Sequence, residues 1–182
     1  FALTSAAAFE AAGGLAGPFL TDLNINQETI GIFFAVPVVI AMFIGGLIGG
    51  YVSDKMNRKK AVGVFLTGFV VAVIFISIFN YVNSSVAATG FFSGFTVMYF
   101  FVGLFTASSY ALFMDLTNPK IGGTQFSTYM AATNGCEALT VWVAGIGVTA
   151  YGYSVSFMLM CVVSLLSLFI LKRIKLNQSS YF

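Results

Sequence analysis

The sequence predicts an all-α membrane protein of six transmembrane helices, because it is very apolar and its charged residues are confined to short segments. Of its 182 residues, 59% are hydrophobic and 8% are charged, whereas roughly 25% are charged in a typical soluble domain. Between Lys60 and Asp115 there is no Asp, Glu, Lys or Arg, and from Ile121 to Leu171 the only one is Glu137. Each stretch is long enough for two helical crossings of about 20 residues.

The apolar segments form a single transmembrane domain with six predicted spans. These cover about residues 1–20, 30–53, 61–79, 90–114, 124–151 and 154–171. The first span is the weakest, since Glu10 interrupts it and a cluster of glycines with Pro18 lies near its end. Because it opens without a polar flank, we expect the natural chain to continue upstream. Asn26 precedes the second span, and we expect it to cap that helix.

The basic residues predict how the spans are oriented. All eight of them follow the second, fourth or sixth span: Lys55, Arg58, Lys59 and Lys60, then Lys120, then Lys172, Arg173 and Lys175. The connections at residues 21–29 and 80–89 carry no Lys or Arg. Since Lys and Arg are retained in cytoplasmic loops, we expect a multi-pass protein of the plasma (inner) membrane with both ends cytoplasmic.

Composition also argues against several classes of function. The sequence has no His, so the usual imidazole base and metal ligand are absent, and we expect neither an enzyme nor a metal or other cofactor. Cys136 and Cys161 lie in apolar stretches without a metal-ligand spacing. A net charge of +2 without a basic patch predicts no nucleic-acid partner.

Glycines of the second span favour close helix packing. Gly45, Gly46, Gly49 and Gly50 form two overlapping GxxxG spacings. In lipid such residues let two helix backbones approach closely, because packing rather than the hydrophobic effect drives helix association there.

The loop after the second span carries the most specific motif. It reads Gly50-Tyr-Val-Ser-Asp54-Lys55-Met-Asn57-Arg58-Lys59-Lys60. This resembles the signature loop of the major facilitator superfamily: glycine, three residues, Asp, Arg or Lys, any residue, Gly, Arg, then Lys or Arg. Gly50 would allow close helix approach, and Asp54 would accept bonds from an Arg or a helix N-terminus. The alternative is an ordinary cytoplasmic basic loop.

Asn57 departs from that motif, and a second loop adds to the resemblance. Asn57 stands where the family has Gly, and after Gly, Asn is the residue that best tolerates left-handed turn geometry.

The run from Asp115 to Phe126 resembles the loop before the eleventh helix of acetyl-coenzyme A transporters and muropeptide permeases. There we expect an extended backbone before a proline, flexible glycines and a threonine helix cap, from Asn118, Pro119, Gly122, Gly123 and Thr124. The alternative is simply a well-formed turn.

Two carboxylates lie inside predicted spans. An ionised carboxylate there costs roughly 2.5–3.5 kcal/mol, so Glu10 and Glu137 each need a compensating role. Asn134, Glu137 and Val141 share one helix face with Ser127 and Met130. One hypothesis makes Glu137 a proton-coupling or substrate-contacting residue with Asn134 as its hydrogen-bond partner, and Glu10 a weaker candidate. The alternative is a protonated Glu bonded to a neighbouring helix.

Together the resemblances imply the carboxy-terminal half of a major facilitator superfamily transporter, equivalent to helices seven to twelve. The implied function is secondary active transport of a small organic solute, and one hypothesis is that the transport is proton symport. Its expected partners are the lipid bilayer and a second six-helix half, from the same polypeptide or a dimer partner. The alternative is a structural subunit of a larger membrane complex, derived from a half-transporter.

Overall fold

A computed structural model describes residues 1–82 and 88–174, and every regular element within them is helical. Asn83 and Lys175, which belong to predicted polar segments, lie outside the described residues. The α-helices are α1 (Ala7–Gly14), α2 (Ala16–Asp22), α3 (Gln27–Phe33), α4 (Val39–Lys55), α5 (Arg58–Val82), α6 (Ala88–Leu116) and α7 (Gly122–Arg173). A π-helical turn, Phe34–Val38, joins α3 to α4, and a 3-10 turn, Pro119–Ile121, precedes α7.

The first predicted span is divided into α1 and α2. The break falls at Leu15, whose backbone (φ −100°, ψ 3°) is not α-helical. Pro18 explains it, because a proline has no N–H to donate to the carbonyl of Gly14 four residues earlier. Pro18 is tolerated in the first turn of α2 for the same reason.

The second predicted span is a nearly continuous helical stretch, Gln27–Lys55. The predicted cap is confirmed, since the side-chain Oδ1 of Asn26 accepts a hydrogen bond of 2.8 Å from the backbone N–H of Glu28. Pro37 lies in the π-helical turn within it. The wider turn accommodates a proline that could not bond to Phe33 in a regular α-helix.

Four stretches of the described residues are long and apolar enough to cross a membrane: Gln27–Lys55, Arg58–Val82, Ala88–Leu116 and Pro119–Arg173. This differs from the predicted six for two reasons. α1 and α2 are individually too short, and the last two predicted spans are joined in α7. α7 nevertheless has a break at Gly152, whose φ of 79° and ψ of 170° are not helical.

Contacts on either side of Gly152 show that α7 turns back on itself. Before it, Gly135 lies against Leu3 and Val141 against Gly14, so residues 122–151 run parallel to α1. After it, Tyr153 Oη donates to Asp22 Oδ2 over 2.8 Å. Ser164 Oγ accepts a 2.8 Å bond from the backbone N–H of Ala8, so residues 153–173 run antiparallel to α1. These contacts support six crossings, which stay a prediction.

The helix ends form two distinct groups. At one end, Arg58 bonds to Asp115, and Lys59 Nζ donates to the backbone carbonyls of Lys172 and Ile174. At the other, Asn80 Nδ2 donates to Ser154 Oγ over 2.9 Å. The structure thus places the basic ends of α4, α5 and α7 together, as the charge pattern predicts.

The interior of the bundle is rich in phenylalanine. Phe19 of α2 is fully buried and contacts Phe91 and Phe95 of α6 and Phe157 of α7, with ring centroids 5.1–6.2 Å apart. Large apolar side chains also cover the exterior, as expected where hydrocarbon replaces water. On α4 they include Ile40, Phe43 and Leu47.

Glycines bring α4 and α6 into backbone contact. A Cβ at Gly49 would lie 2.6 Å from the Cα and O of Leu104, and a Cβ at Gly45 would overlap the carbonyl of Phe100. Gly103 of α6 faces the carbonyl of Met42 in the same way. Gly50 differs: among the described residues, no atom of another element lies within 4 Å of a Cβ built there, so its expected role in close helix approach stays a prediction.

We expect Gly49→Ala to destabilise the protein, because the new methyl group would meet backbone that cannot move independently of α6. Overpacking of this kind costs about 1–3 kcal/mol. Gly46→Ala on the same helix is the matched control, since nothing lies within 4 Å of its Cβ position, and it should be neutral or stabilise by up to about 1 kcal/mol. Unfolding in mixed micelles measures both; equal effects would contradict this packing.

Candidate functional site

The two carboxylates predicted to lie within the membrane come from different helices and are close in space. Glu10 is half-buried on α1, and Glu137 is exposed on α7. Their side chains interact electrostatically, as two like charges that repel when both are ionised. The structure therefore brings together two residues separated by more than 120 positions in the sequence.

Tight packing between α1 and α7 positions this acid pair. A Cβ at Gly14 would lie 2.6 Å from Val141 Cγ2, so the two helices touch there. Gly14 is one turn after Glu10, and Val141 is one turn after Glu137. Because the helices are parallel, this contact aligns the two carboxylates. Cys136, fully buried against Ala6 and Ala7, packs the same pair of helices together one residue before Glu137.

Tyr99 of α6 is a neighbour of the pair that the sequence did not reveal. Its hydroxyl lies over Gly13, where an added Cβ would be 2.7 Å from the oxygen. Tyr99 also interacts electrostatically with Glu10. No local pattern marks Tyr99, since it is one of many aromatic residues in apolar helices and reaches Glu10 only through the tertiary fold.

Asn134 shares the exposed face of α7 with Glu137 and Ser127. Among the described residues there is no hydrogen bond between Asn134 and Glu137, so that part of the hypothesis has no support from the geometry. Thr133 bonds to its own helix, through the carbonyl of Met130 over 2.8 Å. Within the described residues, Ser127, Asn134 and Glu137 thus form an exposed polar face on α7.

The signature-like loop is organised around Arg58. Its guanidinium donates to Asp115 Oδ1 over 2.6 Å, to the carbonyl of Ala111 over 3.0 Å and to Asp54 Oδ1 over 3.2 Å. Arg58 and Asp115 are 21% and 22% exposed, while Asp54 is 68% exposed. Arg58 therefore joins the start of α5 to the ends of α4 and α6, and its bond to Asp115 is the better shielded one.

The other residues of this loop satisfy helix ends or remain at the surface. Asn57 Oδ1 accepts a 3.1 Å bond from the backbone N–H of Lys59, which caps α5. Lys59 Nζ then donates to the last carbonyls of α7. Lys55 is exposed and its ammonium lies 4.7 Å from the ring centre of Tyr51. Cations at helix C-termini also complement the helix dipole.

The loop before α7 differs in part from expectation. Asn118 is extended (φ −74°, ψ 124°) before Pro119, as predicted, and its Oδ1 accepts a 3.0 Å bond from the N–H of Lys120. The predicted cap at Thr124 is wrong, because α7 already begins at Gly122. Gly122 and Gly123 are helical rather than turn-forming, and Thr124 lies inside the first turns. The 3-10 turn at Pro119 starts the helix earlier than the polar residues indicate.

The described residues contain no group of three or more His, Cys, Asp or Glu side chains placed to share a metal ion. In a medium of low dielectric constant, two ionised carboxylates on adjoining helices repel each other strongly.

Comparison with protein families gives one match. The family model described as the Major Facilitator Superfamily matches residues 1–179. The match is to the superfamily as a whole and does not support the narrower branch of acetyl-coenzyme A transporters and muropeptide permeases. No curated protein matches the chain significantly.

We expect Arg58→Gln to lower the free energy of unfolding by about 1.5–3 kcal/mol, because it removes charged hydrogen bonds that join three helix ends. Asp54→Asn should cost less than about 0.5 kcal/mol, since an exposed pair four residues apart on the chain contributes little. Lys55→Gln is a control for charge alone. Unfolding in mixed micelles distinguishes them, and an Asp54→Asn effect as large as that of Arg58→Gln would contradict this ranking.

Proposed function

The chain belongs to the major facilitator superfamily, whose members are membrane transporters rather than enzymes, and we propose that it is the carboxy-terminal half of a proton-coupled transporter of an organic solute. It is an all-α integral membrane protein of that fold. Its match extends over residues 1–179, so membership rests on the whole chain and not on one loop.

One observation carries the proposal of proton coupling: the close contact of Gly14 with Val141 packs α1 against α7 one turn after Glu10 and Glu137, so the two carboxylates lie at matching heights on adjoining helices. Two carboxylates in hydrocarbon are costly unless paired, hydrogen-bonded or protonated. A proton arriving at the pair lowers that cost, and a conformational change that separates the helices would release it. A site of this kind can link proton movement to the motion of the protein.

The exposed polar face of α7 supports a binding role. Ser127, Asn134 and Glu137 are all exposed along one side of the helix. In transporters built from two helical halves, the solute binds between the halves near the middle of the bilayer. We propose that this face lines such a path and that a second six-helix half, on the same polypeptide or on another copy, provides its other wall.

The network around Arg58 fits a role in conformational change. It connects three helix ends, yet Asp54 at its edge is 68% exposed and can contact a neighbouring surface. We propose that Asp54 faces the second half and that its contacts there form and break as the halves rock. Gly50, half-buried one turn earlier on α4 with open space at its Cβ position, would allow that surface to approach.

We expect Glu137→Gln to abolish coupling to protons while leaving a binding-competent protein, because the amide mimics a protonated acid but cannot release a proton. The full-length protein is reconstituted in liposomes loaded with a pH-sensitive dye. Acetyl-coenzyme A, a muropeptide, a sugar, an amino acid and an organic acid are each added outside. The wild type should acidify the lumen with one of these solutes, and Glu137→Gln should lose at least about 90% of that signal.

Controls separate coupling from transport itself. Exchange of labelled solute needs no net proton movement, so Glu137→Gln should keep it, whereas a misfolded variant would not. Glu28→Gln, an exposed acid in the first turn of α3, should behave as the wild type. Unchanged acidification in Glu137→Gln would refute the coupling proposal. If no solute moves and the protein copurifies with unrelated membrane proteins, a structural subunit becomes the better explanation.

We also propose that the basic end of the bundle faces the cytoplasm, so that both ends of the chain lie there. Single cysteines at Lys120 and Gln27, introduced after replacement of Cys136 and Cys161, test this in intact cells. An impermeant maleimide should label Gln27→Cys from outside and label Lys120→Cys only after the membrane is opened. Both positions are exposed at opposite ends, so the reverse pattern would overturn the orientation.

A further inference from the structure

The structure contains a groove on the outside of the bundle, between α5, α6 and the last part of α7. Its volume is about 1540 Å³, larger than the roughly 300–1,000 Å³ of pockets that bind drug-sized ligands. One exposed face of α5 forms its floor, with Lys60, Val64, Thr67, Val71 and Phe75 at intervals of three or four residues. The groove therefore follows α5 along its length.

A small residue widens the groove at one point of α5. Gly63 leaves space there, whereas the ring of Phe101 from α6 fills the space beside Gly68. Leu165, Leu168 and Phe169 of α7 form the opposite wall. At 1.5 Å per residue, the path from Lys60 to Phe75 is about 22 Å long, which exceeds half of a hydrocarbon core of about 30 Å. A long apolar chain fits this shape.

Charge is confined to one end of the groove. The cations that line it are Lys59, Lys60 and Lys172, and no Asp or Glu lines it within the described part of the chain. Lys59 donates to the last carbonyls of α7. Lys60 and Lys172 are exposed, and neither forms an ion pair among the residues that the structure describes. Lys60 and Lys172 therefore have no acidic partner among the described residues, while the Lys172 ammonium lies 5.9 Å from the ring centre of Phe169. Both are at the basic end of the membrane-spanning helices, the level at which lipid headgroups are expected.

We propose that this groove binds an anionic glycerophospholipid, with the phosphate between Lys60 and Lys172 and an acyl chain along α5. Each part of the ligand meets its complement: an anion meets cations at the interface, and hydrocarbon meets Val64, Val71 and Phe75. The opening faces the bilayer from the side, so a lipid can enter without crossing water. This site is separate from the acid pair and does not depend on the proposed transport.

Native mass spectrometry of the full-length protein, purified and stripped of lipid, tests the headgroup part. Dioleoyl phosphatidylglycerol and dioleoyl phosphatidylcholine carry identical chains and differ in net charge. The wild type should bind the anionic lipid more tightly, and Lys60→Gln with Lys172→Gln should weaken its binding roughly 30-fold, about fivefold for each lysine. The matched control, Lys55→Gln with Lys120→Gln, removes the same charge from the same end but outside the groove and should change binding less than twofold.

Gly63→Leu tests the acyl-chain part. A Cβ there would lie 3.8 Å from the side chains of Leu168 and Leu171, which is ordinary van der Waals contact, so the backbone accepts a side chain at this position and leucine takes up groove volume. It should weaken both lipids about equally, whereas Gly31→Leu, on an exposed position of α3 with open space, should affect neither.

Four results would overturn the proposal. Two concern charge: the wild type binds both lipids equally, or the variant with Lys55→Gln and Lys120→Gln loses as much lipid binding as the variant with Lys60→Gln and Lys172→Gln. The other two are that inorganic phosphate alone displaces the lipid fully, or that Gly63→Leu binds lipid as the wild type does. A dimer that Gly63→Leu dissociates would instead assign the groove to a second copy of the chain.

Discussion

The structure depends on the high cost of leaving a charge in hydrocarbon without a partner. This constraint explains why nearly all the ionic residues lie at helix ends, where water and headgroups solvate them. It also explains the arrangement at the basic end, where Arg58 and Lys59 use their donors on carboxylates and on helix carbonyls that would otherwise lack partners. The same constraint makes Glu10 and Glu137 exceptional, and a role in proton transfer would explain why they are tolerated.

Because the hydrophobic effect contributes little to helix association in lipid, close packing at small residues and hydrogen bonds between helices stabilise this bundle. Gly45, Gly49 and Gly103 bring α4 and α6 to backbone contact. Serines act in the same way, since Ser164 binds the backbone N–H of Ala8, and Ser108 donates to the carbonyl of Gly49. The glycine contact between α1 and α7 has a further consequence, because it fixes the relative height of Glu10 and Glu137.

The sequence was informative wherever one strong local effect dominates. Long stretches without charge predicted α5 and α6, and Asn26 was recognised as the cap of α3 because its side chain acts within two residues. Features that depend on tertiary contacts were not predictable from the sequence. Gly45 and Gly49 pack against α6 while Gly50 does not, because the rotation of α4 about its axis decides which of its faces meets α6. Proline geometry explains the break at Leu15, and an early 3-10 turn explains why Thr124 is not a cap. Tyr99 lies near Glu10 because α6 packs beside α1, and the sequence alone does not show that these two helices are neighbours.

The acid pair, Glu10 and Glu137, and the groove along α5 both border α6, on different faces of this helix. Val97 and Phe101 are four residues apart and line the groove, whereas Tyr99 lies between them in sequence and about 200° from Val97 around the helix. Tyr99 reaches Gly13 and Glu10 on the other side. α7 also connects the two sites, because it carries Glu137 and the groove-lining residues Leu165 and Leu168. α6 is therefore one of two helices that the groove and the acid pair share. Its glycine contacts with α4 restrict sliding, because backbone atoms in contact cannot shift past one another without opening the interface. The arrangement accordingly favours two sites that share a rigid wall but work independently.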